Sequence, residues 1–485
     1  MSSRQAESSS GSFCAVKCKE AKLVAPSLPP TARDCIYWLS NLDQIPLYVN
    51  VLFFYQPNKI NKTADPVIVL QKALAQVLLH YYPLAGRLEF SSDGKCHVIS
   101  SGEGAVFVEA EADATISDVL AQFELDTNME YAQKLICKSA WESNNVLDRP
   151  MLSIQVTRFK CGGFCVGAGI NHYMCDGVAF SEFLNSLGEI ARGVSISIQP
   201  ALDRTLLKAR DPLQIEFPHF EYTEIVQNNS PTADDPSVDD IVYSSLCFDS
   251  KHIALMKKHV LGEGLLNTCT SFEVMSAFIW RIRTKALGVE SSEMTKLLFA
   301  VDGRSRLCPP LPEGYHGNAV MTACSIASAR ELTDLGLSYA VKLVQEAKAM
   351  INDKYMRSKI DYFEKTSPRR SPTAGLSIVS SAAHYISSWS RLPFHKADYG
   401  WGQPIHYFPV EPPTLDVTKF LPYGKDSKGI KVYMALPSFA WNTVKSILQQ
   451  HQNQQQPNPV FSGKLVHENF RACARQCSLA ATSAE

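Results

Sequence analysis

The residues best placed to do chemistry lie in Asn171-His172-Tyr173-Met174-Cys175-Asp176-Gly177, an HxxxD followed by glycine. A neutral imidazole accepts a proton near physiological pH, so His172 can take one from a substrate hydroxyl. Asp176, four residues on, can tie the loop down, and Gly177 permits a tight turn. HxxxD is common by chance and needs corroboration. Asp398-Tyr399-Gly400-Trp401-Gly402 is a second departure from background. Two glycines flank a tryptophan there, a tight backbone carrying one large anchor, which suits the bracing of a site. Cys161, Cys165, His172 and Cys175 have the residue types of a metal site. Their spacing matches no standard zinc pattern, and buried free cysteines behave as small hydrophobes, so no metal is expected.

The elements that must hold these residues are legible in the hydrophobic pattern. Phe164, Val166, Ala168 and Ile170 alternate with small residues and predict a strand leading to His172. After Gly177, Phe180, Phe183, Leu184, Leu187 and Ile190 recur at helical spacing until Gly193 closes the pattern. A helix is predicted from Asp65 to His80, with Asp65 as cap, Pro66 in the first turn and a stripe of Val69, Leu70, Ala73, Val77 and Leu78. A further strand is expected over Ile241 to Phe248. A helix over Ser271 to Leu287 carries Thr270 and Glu273 at capping-box spacing, and another long helix follows Asp334. Helices and strands mix throughout and no internal repeat is visible, so the class is α/β or α+β.

With 485 residues the chain is too long for one core, and two domains of more than 200 residues are the natural expectation. The stretch from Val194 to Asp240, rich in proline and polar residues, is the crossover between halves. From Gln449 the chain becomes Gln/Asn-rich, and disorder is expected to Glu485. A formal net charge of -1 without a basic stripe argues against nucleic acid as partner. No apolar run approaches the ~20 residues a membrane helix requires, and the polar, Ser-rich start lacks a secretory core. The fourteen cysteines are scattered rather than framed, which fits reduced thiols and a cytoplasmic location.

In order and separation, His172–Gly177 and Asp398–Gly402 resemble the HxxxDG and DFGWG signatures of the plant BAHD acyl-CoA-dependent acyltransferases. The resemblance covers nearly the whole chain to about Ile447. It includes Leu39-Ser40-Asn41-Leu42-Asp43-Gln44, Tyr82-Pro83-Leu84-Ala85-Gly86-Arg87-Leu88, Val301-Asp302-Gly303-Arg304-Ser305-Arg306 and Gly314-Tyr315-His316-Gly317-Asn318. The segments Leu202 to Pro212, Ile215 to His219 and Lys354 to Phe363 are similar to hydroxycinnamoyl transferases that act on ω-hydroxy fatty acids and long-chain alcohols, enzymes that supply suberin and cutin-type polymers.

That resemblance implies an α/β fold of two similar-sized domains of the chloramphenicol-acetyltransferase type, with mixed sheets, flanking helices and a long crossover linker. The expected division is residues 1–193 with HxxxDG, linker 194–240, residues 241–448 with the Asp398–Gly402 motif, and tail 449–485. The implied reaction transfers an acyl group from a coenzyme A thioester to an alcohol, with acyl-CoA as co-substrate and no further cofactor. A thioester is already activated, so no protein nucleophile is required, and no G-x-S-x-G elbow is present. His172 is the implied general base. Asp176 is implied to point away from it and pair with Arg304, with Arg306 in reserve, holding the loop. Ser387 and Trp389 fall where the family places donors for the oxyanion or the acceptor, although Trp389 reads equally well as packing. Asp398 is counted with the family's catalytic residues, and its glycine-rich turn points to a structural role. The coenzyme-contacting residues are left unassigned, and a monomer is expected. Three departures stand out: Asn171 replaces a frequent histidine, Tyr399 replaces the usual phenylalanine, and the Ser371–Tyr385 region is longer than usual. Two other functions stay open, transfer from another acyl-CoA to another alcohol, and a non-catalytic accessory role in fatty-acid elongation.

Overall fold

The computed structural model describes residues 15–28, 35–57, 64–125, 130–137, 147, 149–223, 241–366, 383–424, 427–453 and 464–465. Its first half supplies strands β1 (Val16–Cys18), β2 (Lys22–Val24), β3 (Ile36–Tyr37), β4 (Tyr48–Tyr55), β5 (Arg87–Phe90), β6 (Cys96–Ile99), β7 (Ala105–Ala112), β8 (Leu152–Phe159) and β9 (Phe164–Asn171). Helices α1 (Pro66–His80), α2 (Ile116–Leu125), α3 (Glu130–Gln133) and α4 (Gly177–Ala191) lie among them. Asp65 caps α1 by accepting from the Val67 N–H at 3.0 Å. The buried face of α1 is Val67, Leu70, Ala73, Leu74, Val77 and Leu78. Val69, placed in the stripe by spacing, is only half-buried, because the face that meets the sheet is turned toward Val67 and Leu74.

The second half contributes β10 (Ile241–Phe248), β11 (Met294–Asp302), β12 (Val320–Ser328), β13 (Ala383–Ser388), β14 (His406–Pro409), β15 (Val417–Tyr423), β16 (Gly429–Pro437) and β17 (Lys464–Leu465). Its helices are α5 (Ser250–Gly262), α6 (Ser271–Ala286), α7 (Ala329–Asp334), α8 (Leu337–Met350), α9 (Asp353–Thr366) and α10 (Ser438–Asn453). The capping box at the start of α6 forms, with the Glu273 N–H donating to Thr270 Oγ1 and the Thr270 N–H to Glu273 Oε2.

Two large mixed sheets result. One runs β1-β7-β8-β9-β4-β14, with β2 also on β7, and the other β12-β11-β13-β15-β16-β10-β17. β9 is central in the first sheet and buried along its whole length, which is why it reads as near-continuous apolar and small residues. The first core gathers residues of β4, β8, β9, α1 and α4. The second gathers residues of β10 to β12, α6, α8, α9 and α10.

The halves are not cut where the chain divides. Phe394, Ala397 and Tyr399 pack in the first core, and β14 pairs antiparallel with β4, His406 opposite Phe54. The segment carrying the Asp398–Gly402 motif therefore belongs in space to the first sheet. The crossover is likewise built into the molecule over its described part. Arg210 Nε donates to Asp361 on α9 at 2.7 Å, and His219 bridges Ser358 on α9 and Glu221. Ser358, His219 and Glu221 are linked in the order of a catalytic triad. All three are fully buried, and the Ser358 hydroxyl accepts the Glu216 and Phe217 N–H groups, so the arrangement clamps the crossover to α9. Toward the C-terminus, α10 extends to Asn453 and Lys464–Leu465 pair with β10, so ordered structure reaches into the stretch expected to be tail. The rest of 449–485, residues 224–240 of the crossover and 367–382 of the Ser371–Tyr385 region lie outside the described residues.

Candidate active site

His172 is the first residue beyond β9. Its N–H donates to the Leu47 carbonyl at 2.8 Å, and the next turn closes with the Met174 N–H on the Asn171 carbonyl at 2.9 Å. The Asn171 side chain accepts the Tyr173 N–H at 3.3 Å, which gives this residue a use in the turn. His172 is partly exposed, whereas its Nδ1 is buried. Burial lowers the imidazole pKa below its ordinary value, and the Asp176 charge, the residue's own backbone and Asn318 offset this only in part. The ring is therefore neutral at physiological pH, the form that accepts a proton.

Asp176 caps α4, accepting the Val178 and Ala179 N–H groups on Oδ1 at 3.1 Å each. The same carboxylate takes Arg304 in a bidentate pair, Nη2 to Oδ1 at 2.9 Å and Nη1 to Oδ2 at 3.0 Å, and the Ala319 N–H on Oδ2 at 3.0 Å. Burial pushes its pKa up, but the Arg304 charge and these bonds outweigh that and hold it below the usual carboxylate range. Both oxygens are committed to Arg304 and backbone, which leaves no relay to the imidazole of the triad kind. Arg304 reaches further, to the Gly317 carbonyl at 2.9 Å and to Asp302 at 3.0 Å. Arg306 is elsewhere, its guanidinium on the Lys348 and Ile351 carbonyls at the end of α8.

Ser387 and Trp389 stand at the end of β13, both half-buried. The Trp389 indole N–H donates to Ser387 Oγ at 3.1 Å, which ties the two side chains together and leaves the Ser387 hydroxyl its own proton to donate. The Trp389 ring packs on Phe394 at 5.5 Å. Leu392, just beyond, covers Gly177: a Cβ there would lie 2.8 Å from Leu392 Cδ1. This contact brings the segment after Trp389 against the start of α4, next to the His172 loop.

Asp398 is not brought to His172. Its Oδ1 accepts the Gly400 and Gly402 N–H groups at 2.8 and 2.9 Å, closing its own turn. Its carbonyl takes the Arg192 guanidinium and lies where a Cβ on Gly188 would come within 2.6 Å. Gly188 is twelve residues along α4 from Asp176, about 18 Å at 1.5 Å per residue. Asp398 thus braces the far end of the helix whose near end carries the histidine loop, which corrects its inclusion in the catalytic set. Tyr399 is fully buried, its ring against Tyr55 at 5.3 Å. The cysteine quartet is divided, with Cys165 in a satellite cluster beyond the sheet and Cys175 in the first core.

Three residues at the loop carried no role in the sequence. Asp43, Arg204 and Asn318 each stand inside a block that gave the family resemblance, the only signal that marked them.

Comparison with known proteins decides the family. The sequence pattern of the Transferase family matches residues 14–450. The chain belongs to this family, the BAHD acyl-CoA-dependent acyltransferases. Among its relatives is the omega-hydroxypalmitate O-feruloyl transferase of Arabidopsis thaliana, 44% identical over 429 residues, 87% of this chain and 90% of the relative. The fatty alcohol:caffeoyl-CoA acyltransferase of the same plant is 41% identical over 430 residues, covering 89% and 97%. Vinorine synthase shares the fold at a TM-score of 0.68 and 21% identity, over 88% of this chain and 96% of that one. TRI101 of F. graminearum, crystallised with coenzyme A and T-2 mycotoxin, does so at 0.72 and 17% identity, over 85% and 97%. This acyltransferase therefore has the two-part α/β architecture of the chloramphenicol-acetyltransferase type. No helix among its described residues is long and apolar enough to cross a membrane.

Proposed function

We propose that this acyltransferase moves a hydroxycinnamoyl group, feruloyl first among them, from its coenzyme A thioester to the hydroxyl of an ω-hydroxy fatty acid or fatty alcohol. His172 takes the hydroxyl proton as the oxygen attacks the thioester carbonyl. The tetrahedral intermediate collapses with cleavage of the C–S bond, and the imidazolium returns the proton to the departing sulfur, giving ester and free thiol. The Ser387 hydroxyl, backed by Trp389, is the donor assigned to the oxyanion; losing one such donor typically costs about 10²–10³ in rate. The observation that carries the reaction is the placement of His172, partly exposed at the end of a buried strand and on a loop pinned by the Asp176–Arg304 pair. The acceptor class rests on the similarity to the two Arabidopsis transferases. The acyl-CoA is a co-substrate and no further cofactor is needed. A cytoplasmic monomer supplying esters for suberin- or cutin-type polymers completes the proposal.

The test is to offer purified protein feruloyl-CoA with 16-hydroxypalmitate, a fatty alcohol, coniferyl alcohol and shikimate separately, following thiol release. Turnover is expected with the first two. Release with none, or with shikimate alone, contradicts the proposal.

A further inference from the structure

Asp43 is the hub of a buried network that the transfer chemistry leaves without a role. The Ser40 N–H and Oγ donate to its Oδ2 at 2.8 and 2.7 Å, which fixes the carboxylate in a short turn of the N-terminal segment. On Oδ1 it accepts Arg204 Nη1 at 2.6 Å and both the backbone N–H and Nδ2 of Asn318 at 3.0 Å. Arg204 spends its other nitrogens on the Tyr37 hydroxyl at 2.8 Å and the Met174 carbonyl at 2.6 Å. Asn318 Nδ2 also donates to the His172 carbonyl at 2.8 Å. Asp43, Arg204 and Asn318 expose 0%, 2% and 2% of their surface, so no solvent competes for these bonds.

Three stretches distant in sequence thus converge on two carbonyls inside the HxxxDG loop. One is the residue that carries the base and the other sits midway to Asp176. Asp176 and Arg304 pin the far end of the same loop, where it enters α4, and leave the histidine end to the Leu47 carbonyl, which takes the His172 N–H, and to this second network. A buried ion pair is weak evidence for stability, since apolar residues of similar volume often serve as well. Its directed bonds place a backbone to within tenths of an ångström, and a displacement of about 1 Å can cost about 10²-fold in rate. We propose that Asn318, held by Asp43 and Arg204, is a positioning residue for His172, fixing the backbone from which the imidazole is presented to the hydroxyl. The inference rests on the reading of His172 as base.

Asn318→Ala keeps the backbone N–H bond to Asp43 and removes the side-chain bonds to Asp43 and to the His172 carbonyl. With a competent donor and acceptor, kcat is expected to fall on the order of 10–100-fold, while KM for both substrates stays within about 3-fold and Tm stays near the wild-type value. The acid limb of kcat/KM moves to lower pH, because Asn318 is one of the groups that raise the His172 pKa. Arg204→Lys, one point charge in place of three directed bonds, shows the same loss in kcat. Wild-type kcat in folded Asn318→Ala overturns the proposal. If that variant does not fold, Asn318→Ser is measured in its place, and failure of both to fold assigns Asn318 a purely structural role and overturns it equally. His172→Ala separates the two readings. Full turnover there removes the base itself, whereas an inactive His172→Ala beside a fully active Asn318→Ala removes only the positioning.

Discussion

At the scale of residues, burial decides the state of each group and partners decide what it can do. His172 is depressed by burial and works as a base only when neutral, so activity is lost as pH falls through its folded-state pKa. The acid limb of the kcat/KM profile is expected below the ordinary histidine value of about 6.5; a limb at or above that value contradicts the burial account. Arg304 is raised because the Asp176 charge outweighs its desolvation, and it is the cation that makes a buried Asp176 tolerable. Arg304→Met leaves that carboxylate unpaired and is expected to cost about 3–5 kcal/mol in urea unfolding. A loss under 1 kcal/mol would show that backbone donors alone suffice. The HxxxDG residues were legible because their types and spacing are chemical. Asp43 and Asn318 were not, because their distant partners, Arg204 and Asn318 for Asp43 and the His172 carbonyl for Asn318, lie more than a hundred positions away, and no local spacing records that.

At the scale of elements, α4 is the ruler of the site. Its N-terminus carries Asp176 and Gly177 under Leu392, and its far end carries Gly188 under Asp398. The two glycines meet different neighbours, which separates their costs. Gly177→Ala meets the end of a flexible leucine, while Gly188→Ala drives a methyl against a backbone carbonyl at 2.6 Å. Gly188→Ala is expected to destabilise by about 1–3 kcal/mol and Gly177→Ala by less, measured by thermal or urea unfolding; the reverse order contradicts the packing described. The helices α1, α4 and α6 were legible from caps and apolar period. β14 was not, because a four-residue edge strand carries no usable alternation and its partner β4 lies some 350 residues earlier.

At the scale of the whole molecule, the halves are interlocked by the β14 strand on the first sheet, the crossover clamped to α9, and the charged pairs at the loop. Burial also makes this assembly acid-sensitive. His316 is buried with its pKa pushed down to about 3, and burial brings His406 to about 4. The unfolded chain takes up protons near pH 6.5 that the folded one refuses, so stability is full above that pH and is lost as pH falls toward those values, by about 1.4 kcal/mol per unit for each group. His316→Phe keeps the aromatic contact with Tyr81 and is expected to flatten the dependence of Tm on pH between about 6 and 4; an unchanged slope contradicts the assignment. The division into two sheet-centred halves was legible from length, whereas the exchange of Phe394–Pro409 into the first half was not, since composition does not change there.

The most direct test of the central claim is kcat/KM of His172→Gln against wild type, with feruloyl-CoA and 16-hydroxypalmitate at pH 7.5 and Tm measured on both proteins. A folded variant reduced by about 10²–10⁴-fold is the result predicted for the loss of a positioned base. A folded variant within a few-fold of wild type would mean that the proton leaves by another route and that the loop was built for something else.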